Sequence, residues 1–137
     1  MYGDSAAGRK RVAQLREQGG DVRALAARLV SQAEAVPWHG KAAESMRERI
    51  RERAGHLRAA AAQHDTAAES LSAHVSEVDR LKEAIDIRSR KAATLTEDAR
   101  TRASEGTPAD DADAVLVAFD PPPAGHRDWL TVDLPGL

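Results

Sequence analysis

Two long stretches of this sequence carry apolar or small residues in a seven-residue repeat, and one short Pro- and Gly-containing segment separates them. The first stretch runs from about Asp4 to Val36. Its repeat consists of Val12, Leu15, Gly19, Val22, Ala26, Leu29, Ala33 and Val36. Alternating steps of three and four residues place one seam along a helix, and that seam requires another helix to cover it. Because the register survives Gly19 and Gly20, we expect a bend or a close helix contact there.

The segment VPWHG at residues 36–40 ends the first helix. Pro37 lacks an N–H donor and pushes the preceding residue away from helical dihedral angles. Gly40 closes the turn, and the helical pattern resumes at Lys41. A connection this short between two long helices predicts an antiparallel hairpin.

The second stretch predicts one continuous helix from Lys41 to Ser104, with Gly55 as its only breaker. Its predicted stripe consists of Ala43, Met46, Ile50, Leu57, Ala60, His64, Ala67, Leu71, His74, Val78, Leu81, Ile85, Ala92, Leu95 and Ala99. At 1.5 Å per residue this helix is about 95 Å long and the first about 50 Å, which leaves roughly half of the stripe uncovered.

Three covers for the remaining stripe stay open at this point. They are a second subunit, the C-terminal tail, and a break that folds residues beyond about 75 back, for which Thr66 and Glu69 supply a weak capping box. We favour the second subunit, because no strong break signal is present. The expected fold is therefore all-α: an antiparallel helical hairpin with an extended second helix, which forms a four-helix bundle on dimerisation.

The sequence changes character after Glu105, so we divide the chain into a hairpin at residues 1–105 and a tail at residues 106–137. The segment from 104 to 137 holds seven acidic residues against Arg127 alone, and three prolines at 121–123 favour extended backbone. AVLVAF at 114–119 is ambiguous between helix and strand, and DWLTVDL at 128–134 alternates in part like a strand. The tail is either disordered or docked on a helical surface, with Trp129 as its anchor.

Composition excludes several classes of site. About one residue in five is alanine, so the helices can pack closely but bury little bulk. The net charge of −2 gives no global attraction to nucleic acid, and the absence of cysteine excludes disulfides and thiolate metal sites. No apolar run reaches the length of a membrane span or a signal-peptide core, so we expect any export to proceed without a cleaved signal peptide.

A helix, a Trp-x-Gly turn (Trp38, His39, Gly40) and a second helix beginning KAAESMRERI resemble the WXG superfamily, the small helical hairpins of type VII secretion in actinobacteria and related bacteria. The resemblance covers residues 5 to about 87. It implies homodimeric or heterodimeric four-helix bundles that are exported folded, with Trp38 and Gly40 at the turn. It also implies another WXG-like or effector protein as partner, and the secretion ATPase as a further one.

The chain departs from the family pattern in two ways. Family export signals place a Tyr-x-x-x-Asp/Glu after the second helix, whereas the only tyrosine here is Tyr2, so a partner would have to supply that signal. The second helix and the tail also exceed the usual family length. These additions suggest a partner or chaperone-like role toward a larger secreted protein.

The candidate interaction residues are Trp38 and Gly40 at the turn and Trp129 in the tail. Those of the seam are Leu15, Val22, Leu29, Ile50, Leu57 and Leu71. The five histidines lack metal-binding spacing, so we predict no metal or other cofactor. His64 and His74 fall on the predicted stripe, and their protonation near pH 6 would weaken an interface there.

The arginine-rich segment RERIRER at 47–53 alternates acids and bases, which favours a solvated helix flank over a nucleic-acid site. No nucleophile, phosphate loop or paired carboxylate motif is present, so we predict no enzymatic activity. The expected function is therefore that of a secreted substrate, or a partner or chaperone of an effector, in type VII secretion, located in the cytoplasm before export. The alternatives are a cytoplasmic coiled-coil adaptor and an immunity protein whose acidic tail masks a toxin.

Overall fold

The computed structural model describes residues 5–137, so the predicted helix start near Asp4 lies outside the described residues. It contains the helices α1 (Ser5–Ala35), α2 (Lys41–Ser104) and α3 (Asp111–Val117), followed by a 3-10 helix (Arg127–Thr131). No strand occurs in this described part of the chain. None of the helices within residues 5–137 is both long and apolar enough to cross a bilayer.

The described residues form two compact units, and their boundary lies inside α2, between Ser76 and Glu77, rather than at residue 105. We call residues 5–76 the hairpin unit and residues 77–137 the C-terminal unit. Because α2 is one helix from Lys41 to Ser104, it does not break near residue 75. The Thr66 hydroxyl donates to the Ala62 carbonyl within α2 at 3.1 Å, so it does not cap a new helix.

In the hairpin unit, α1 packs antiparallel against α2 through small residues. The buried positions on the two helices are Val12, Gly19, Ala26, Ala43, Ala54, Ala61, Ala68 and Val75. A Cβ atom on Gly19 would lie 3.1 Å from the Asp65 Oδ1 atom and 3.3 Å from the Ala61 carbonyl oxygen. Gly19 therefore marks a close helix contact, which is one of the two outcomes expected at the glycine pair, and α1 continues through both glycines.

The predicted stripe of α2 is correct at Leu57, His64 and Leu71 but wrong by one residue at the positions that alternate with them. Ala60 is half-buried, and Ala67 and His74 are exposed, whereas the neighbouring Ala61, Ala68 and Val75 are buried. Alternating steps of four and three residues connect Ile50, Ala54, Leu57, Ala61, His64, Ala68, Leu71 and Val75. Ala60 and Ala67 belong to a second run of alanines, which hydrophobicity alone cannot distinguish from the first.

In the C-terminal unit, the tail packs against the last part of α2. Its core consists of Ile85, Ala92, Ala99, Leu116, Trp129 and Leu134, with Leu95, Phe119, Leu130, Val132 and Leu137 partly buried around them. α2 ends in a Schellman motif: Gly106 has a φ of 78°, and the Thr107 N–H donates to the Arg102 carbonyl at 3.1 Å. Asp110 then caps α3 by accepting from the Asp113 N–H at 2.8 Å.

Two expectations about this part of the chain are corrected. The expected cover of residues 85–99 was a second subunit, but the tail of the same chain occupies that place. The partly strand-like pattern at 128–134 instead contains the 3-10 helix, because Trp129 and Leu134 both reach the surface of α2 from a turning backbone. The ambiguous segment at 114–119 falls mostly in α3.

Candidate partner-binding site at the hairpin turn

The turn between α1 and α2 fixes the backbone beside Trp38 and leaves its indole in solvent. Gly40 has a φ of 103°, which side chains other than glycine rarely adopt. Its carbonyl accepts the first backbone bond of α2, from the Glu44 N–H at 3.1 Å. The Trp38 side chain is 56% exposed. A large apolar group is therefore presented at a position that the turn determines.

Arg47 holds the turn from the side of α2. Its guanidinium donates to the carbonyls of Val36 and Trp38 at 2.7 Å each, and to the Ala33 carbonyl at 3.2 Å. The Ala33 and Val36 carbonyls lie at the end of α1, where carbonyls lack helical partners and a positive charge is favourable, and the Trp38 carbonyl lies in the turn. The alternating charges at 47–53 predict a solvated flank, and they do not indicate this role of Arg47. The available signal is a basic residue early in α2, which an antiparallel hairpin brings beside the end of α1.

An open pocket of about 280 Å³ lies next to Trp38. Most of its lining is apolar, and Gln32 and Arg47 supply the polar groups at its edge. The complete lining is Leu29, Gln32, Ala33, Val36, Trp38, Ala43, Met46, Arg47 and Ile50. Three of the predicted interaction residues, Trp38, Leu29 and Ile50, therefore share one surface. Met46 is exposed beside them.

All six seam residues are half-buried, whereas the small residues that alternate with them are buried between the helices. These half-buried residues are Leu15, Val22, Leu29, Ile50, Leu57 and Leu71. Because the two helices approach closely at alanine and glycine, the larger side chains lie at the margins of the contact and keep part of their apolar surface in solvent.

Charged groups flank the hairpin contact. The Arg23 guanidinium donates to the Asp65 carboxylate, and this hydrogen bond lowers the pKa of Asp65 below its ordinary value. Arg51 lies 3.2 Å from the Glu48 carboxylate and 3.9 Å from that of Glu34. These pairs surround the seam without entering it.

The two histidines predicted on the stripe have different environments. His64 is half-buried, and its Nδ1 atom lies 3.0 Å from the Ala60 carbonyl oxygen, whereas His74 is exposed. No group of three or more potential metal ligands occurs among residues 5–137. Of these two histidines, only His64 lies at the contact between α1 and α2.

Trp129 lies in the C-terminal unit, where it is 5% exposed. Its indole N–H donates to the Pro123 carbonyl at 3.1 Å, and its ring meets that of Phe119 edge to face at 6.1 Å between centroids. The indole N–H therefore has a hydrogen-bond acceptor in the tail, and its ring is packed in the core that the tail forms with α2. Of the two tryptophans, only Trp38 is available as a contact for another molecule.

The fold and this surface define the protein as an α-helical hairpin with an exposed aromatic turn. Comparison of the chain with protein-family models, curated proteins and solved structures found no match in any of the three. The resemblance to the WXG superfamily therefore rests on the sequence features around Trp38 and Gly40.

Proposed function

We propose that this protein is a non-enzymatic, WXG-like hairpin that dimerises with a second copy or with a related or effector protein. In type VII secretion it acts as a secreted substrate, or as a partner or chaperone of a larger effector. The observation that carries this proposal is the half-buried row of large seam residues on a hairpin whose closest contacts are made by alanine and glycine.

In a single hairpin the large seam residues keep part of their apolar surface in water. Full burial of an exposed large aliphatic side chain contributes about 1.5–3 kcal/mol, so an interface gains only part of that figure from each of the six half-buried seam residues. A second hairpin placed on this row would complete a four-helix bundle. Rotational and translational losses oppose association, so several of these residues must be buried together.

Trp38 supplies the second element of the proposal. An exposed indole beside an apolar pocket is a frequent anchor at protein interfaces, and its backbone is held by Arg47. In the proposed function this turn is presented to the secretion ATPase or to the effector. The partner of a heterodimer provides the Tyr-x-x-x-Asp/Glu signal that this sequence lacks after its second helix.

Dimerisation is tested by comparing Ile50→Asn with Ile87→Asn in light scattering coupled to gel filtration. Ile50 is half-buried beside the turn, whereas Ile87 is 56% exposed in α2. We expect the wild-type protein and the Ile87 variant to form dimers, alone or with a co-expressed neighbouring gene product, and the Ile50 variant to lose them. Circular dichroism checks that both variants remain helical. A wild-type monomer with every candidate partner would contradict the proposal.

The role of the turn is tested by Trp38→Ala. Because the indole is largely in solvent, we expect the free energy of unfolding to change by about 1 kcal/mol or less, while export falls. The amounts in the culture medium and in the cells measure export. Collapse of the fold would instead assign Trp38 to the core, and normal export would remove the turn from the mechanism.

The second candidate is a coiled-coil adaptor that stays in the cytoplasm. The continuous 64-residue helix α2 and the absence of a tyrosine after it favour this function. Cell fractionation separates the two candidates. Protein found only in the cytoplasm, in cells with an active secretion system and the neighbouring gene products, would support the adaptor.

A further inference from the structure

Three acidic residues near the turn gather around one arginine. A guanidinium nitrogen of Arg51 lies 3.2 Å from a carboxylate oxygen of Glu48, 3.9 Å from one of Glu34 and 4.0 Å from one of Glu44. Arg47, one turn earlier in α2, donates to the carbonyls of the turn and lies 3.7 Å from Glu44. These acidic groups therefore lie on the side of α2 that carries Arg47 and Arg51.

Three other arginines border the open pocket beside the turn. Each lies three or four positions from a residue that lines the pocket, and residues at that spacing are neighbours on a helix surface. They are Arg28 of α1 and Arg49 and Arg53 of α2, next to Gln32, Met46 and Ile50 respectively. All three are exposed, and none forms an ion pair within residues 5–137. Unpaired positive charge therefore borders the pocket on both helices.

The pocket itself offers no free charge. Its lining is aliphatic apart from Trp38, Gln32 and Arg47, and the Arg47 guanidinium already donates to three carbonyls. Trp38 is 56% exposed and Met46 is 40% exposed, so apolar surface remains in contact with water. A charged group is costly to bury among such side chains. The interior therefore fits an uncharged, apolar group.

We propose that this pocket binds an acidic segment of the partner protein, which inserts one large apolar side chain and places Asp or Glu residues against Arg28, Arg49 and Arg53. The inference rests on the proposed role of the turn in partner binding, and it specifies the chemistry of that partner. The arginines attract the acidic groups and the aliphatic lining takes the apolar one, so both parts of the surface are complemented.

Other anionic partners complement only part of this surface. The pocket volume of about 280 Å³ is below the 300–1,000 Å³ or so of typical small-molecule sites, which favours an inserted side chain. A phospholipid surface would attract the arginines, but it has no projecting side chain to fill a concavity. Nucleic acid would place phosphates against the arginines and leave the aliphatic lining uncovered.

The chemistry of the partner is tested by selecting random peptides, displayed on phage, against the immobilised full-length protein. We expect the selected peptides to share a large apolar residue flanked by Asp or Glu. The tightest of them is then synthesised in its acidic form and in a neutral form with Asn or Gln in place of the acids. Calorimetry should show that the acidic form binds about three- to tenfold more tightly.

Two double variants with the same change of charge locate the recognition. Arg49→Gln with Arg53→Gln should remove most of the difference between the acidic and the neutral peptide. Arg58→Gln with Arg90→Gln should keep it, because both residues are exposed on α2 and neither lines the pocket. Met46→Asn should weaken both peptides, since it places a polar group in the lining. Circular dichroism checks that each variant remains helical.

Selected peptides without acidic residues, or equal losses in the two double variants, would overturn the inference and leave the proposed role of the turn standing. The absence of any selected peptide would show that the pocket has no such ligand. Binding to phosphatidylglycerol vesicles that requires Met46, Arg49 and Arg53 would assign the surface to a membrane instead. A lower mass of the free protein in the Arg49 and Arg53 double variant would assign it to a second copy. The proposed function is decided separately, by dimerisation of Ile50→Asn and export of Trp38→Ala.

Discussion

At the scale of single residues, Arg47 fastens the turn that Trp38 and Gly40 mark in the sequence. Gly40 permits the backbone conformation, and Trp38 provides the exposed indole. Arg47 joins α2 to the end of α1 and to the turn, because its guanidinium donates to three carbonyls there. Planar, multiply donating geometry of this kind is a property of arginine that lysine does not share.

Substitution of Arg47 by alanine should therefore destabilise the hairpin. We expect a loss of about 1–3 kcal/mol, since three carbonyls lose a charged donor. Arg49→Ala is the control, because Arg49 is exposed on the same turn of α2 and should change stability by about 0.5 kcal/mol or less. Urea unfolding measures both. Equal losses in the two variants would remove the specific role of Arg47, and Arg47→Lys should restore little of it.

At the scale of secondary structure, the contact between α1 and α2 is set by the smallest side chains. Gly19 lies against the Ala61 carbonyl, and Ala26, Ala54 and Ala68 are buried along the same contact. Small residues allow close approach of the two backbones. The consequence is a hairpin that buries little bulk within itself and leaves its large aliphatic residues half-covered.

The two adjacent glycines of α1 provide a direct test of this close contact. In Gly19→Leu the new side chain meets the α2 backbone, and we expect overpacking to cost about 1–3 kcal/mol. In Gly20→Leu nothing lies within 4 Å of the added Cβ atom, so the gain in helix propensity should stabilise by up to about 1 kcal/mol. Thermal or urea unfolding compares them. Similar effects of both substitutions would mean that the helices are not in close contact at Gly19.

At the scale of the whole molecule, the chain uses two ways to cover one long helix. In the hairpin unit the cover is α1, and in the C-terminal unit it is a tail with a short α-helix, a 3-10 helix and glycine turns. The tail also uses its acidic character, because Asp113 pairs with Arg102 of α2. This hydrogen bond holds the pKa of Asp113 below its ordinary value.

Because the pKa of Asp113 is lowered by its pairing with Arg102, the attachment of the tail weakens in acid. The contribution of Asp113 is fully present above the ordinary aspartate pKa of about 4, and it is lost as the pH falls through the lower folded value. Asp113→Asn should therefore be less stable than wild type at pH 7, and this difference should shrink below about pH 4. Urea unfolding at several pH values measures it, with the exposed Asp133→Asn as control. A difference that does not change with pH would exclude the ion pair as its cause.

Much of the fold follows from local patterns. The bounds of α2 agree with those predicted, and Ser5–Ala35 agrees closely with the first predicted helix, because proline and glycine at the turn interrupt two long seven-residue repeats. The close contact at Gly19 was one of two expected outcomes. The sequence pattern could not show whether Ala60 or Ala61 is the buried residue. Two adjacent alanines differ only in the face of α2 on which they lie, and the position of the partner helix decides which face is covered.

Local sequence patterns are enough to predict two long amphipathic helices joined by a tight turn with Trp38 at its tip. They do not predict what covers the end of α2, what fastens the turn or which tryptophan stays in solvent, because these depend on contacts in the folded chain. The seven-residue repeat specifies that a face must be covered, but the identity of the cover depends on contacts between residues far apart in the chain. Arg47 with the end of α1, and Arg88 with the carbonyls of the tail, are contacts of that kind.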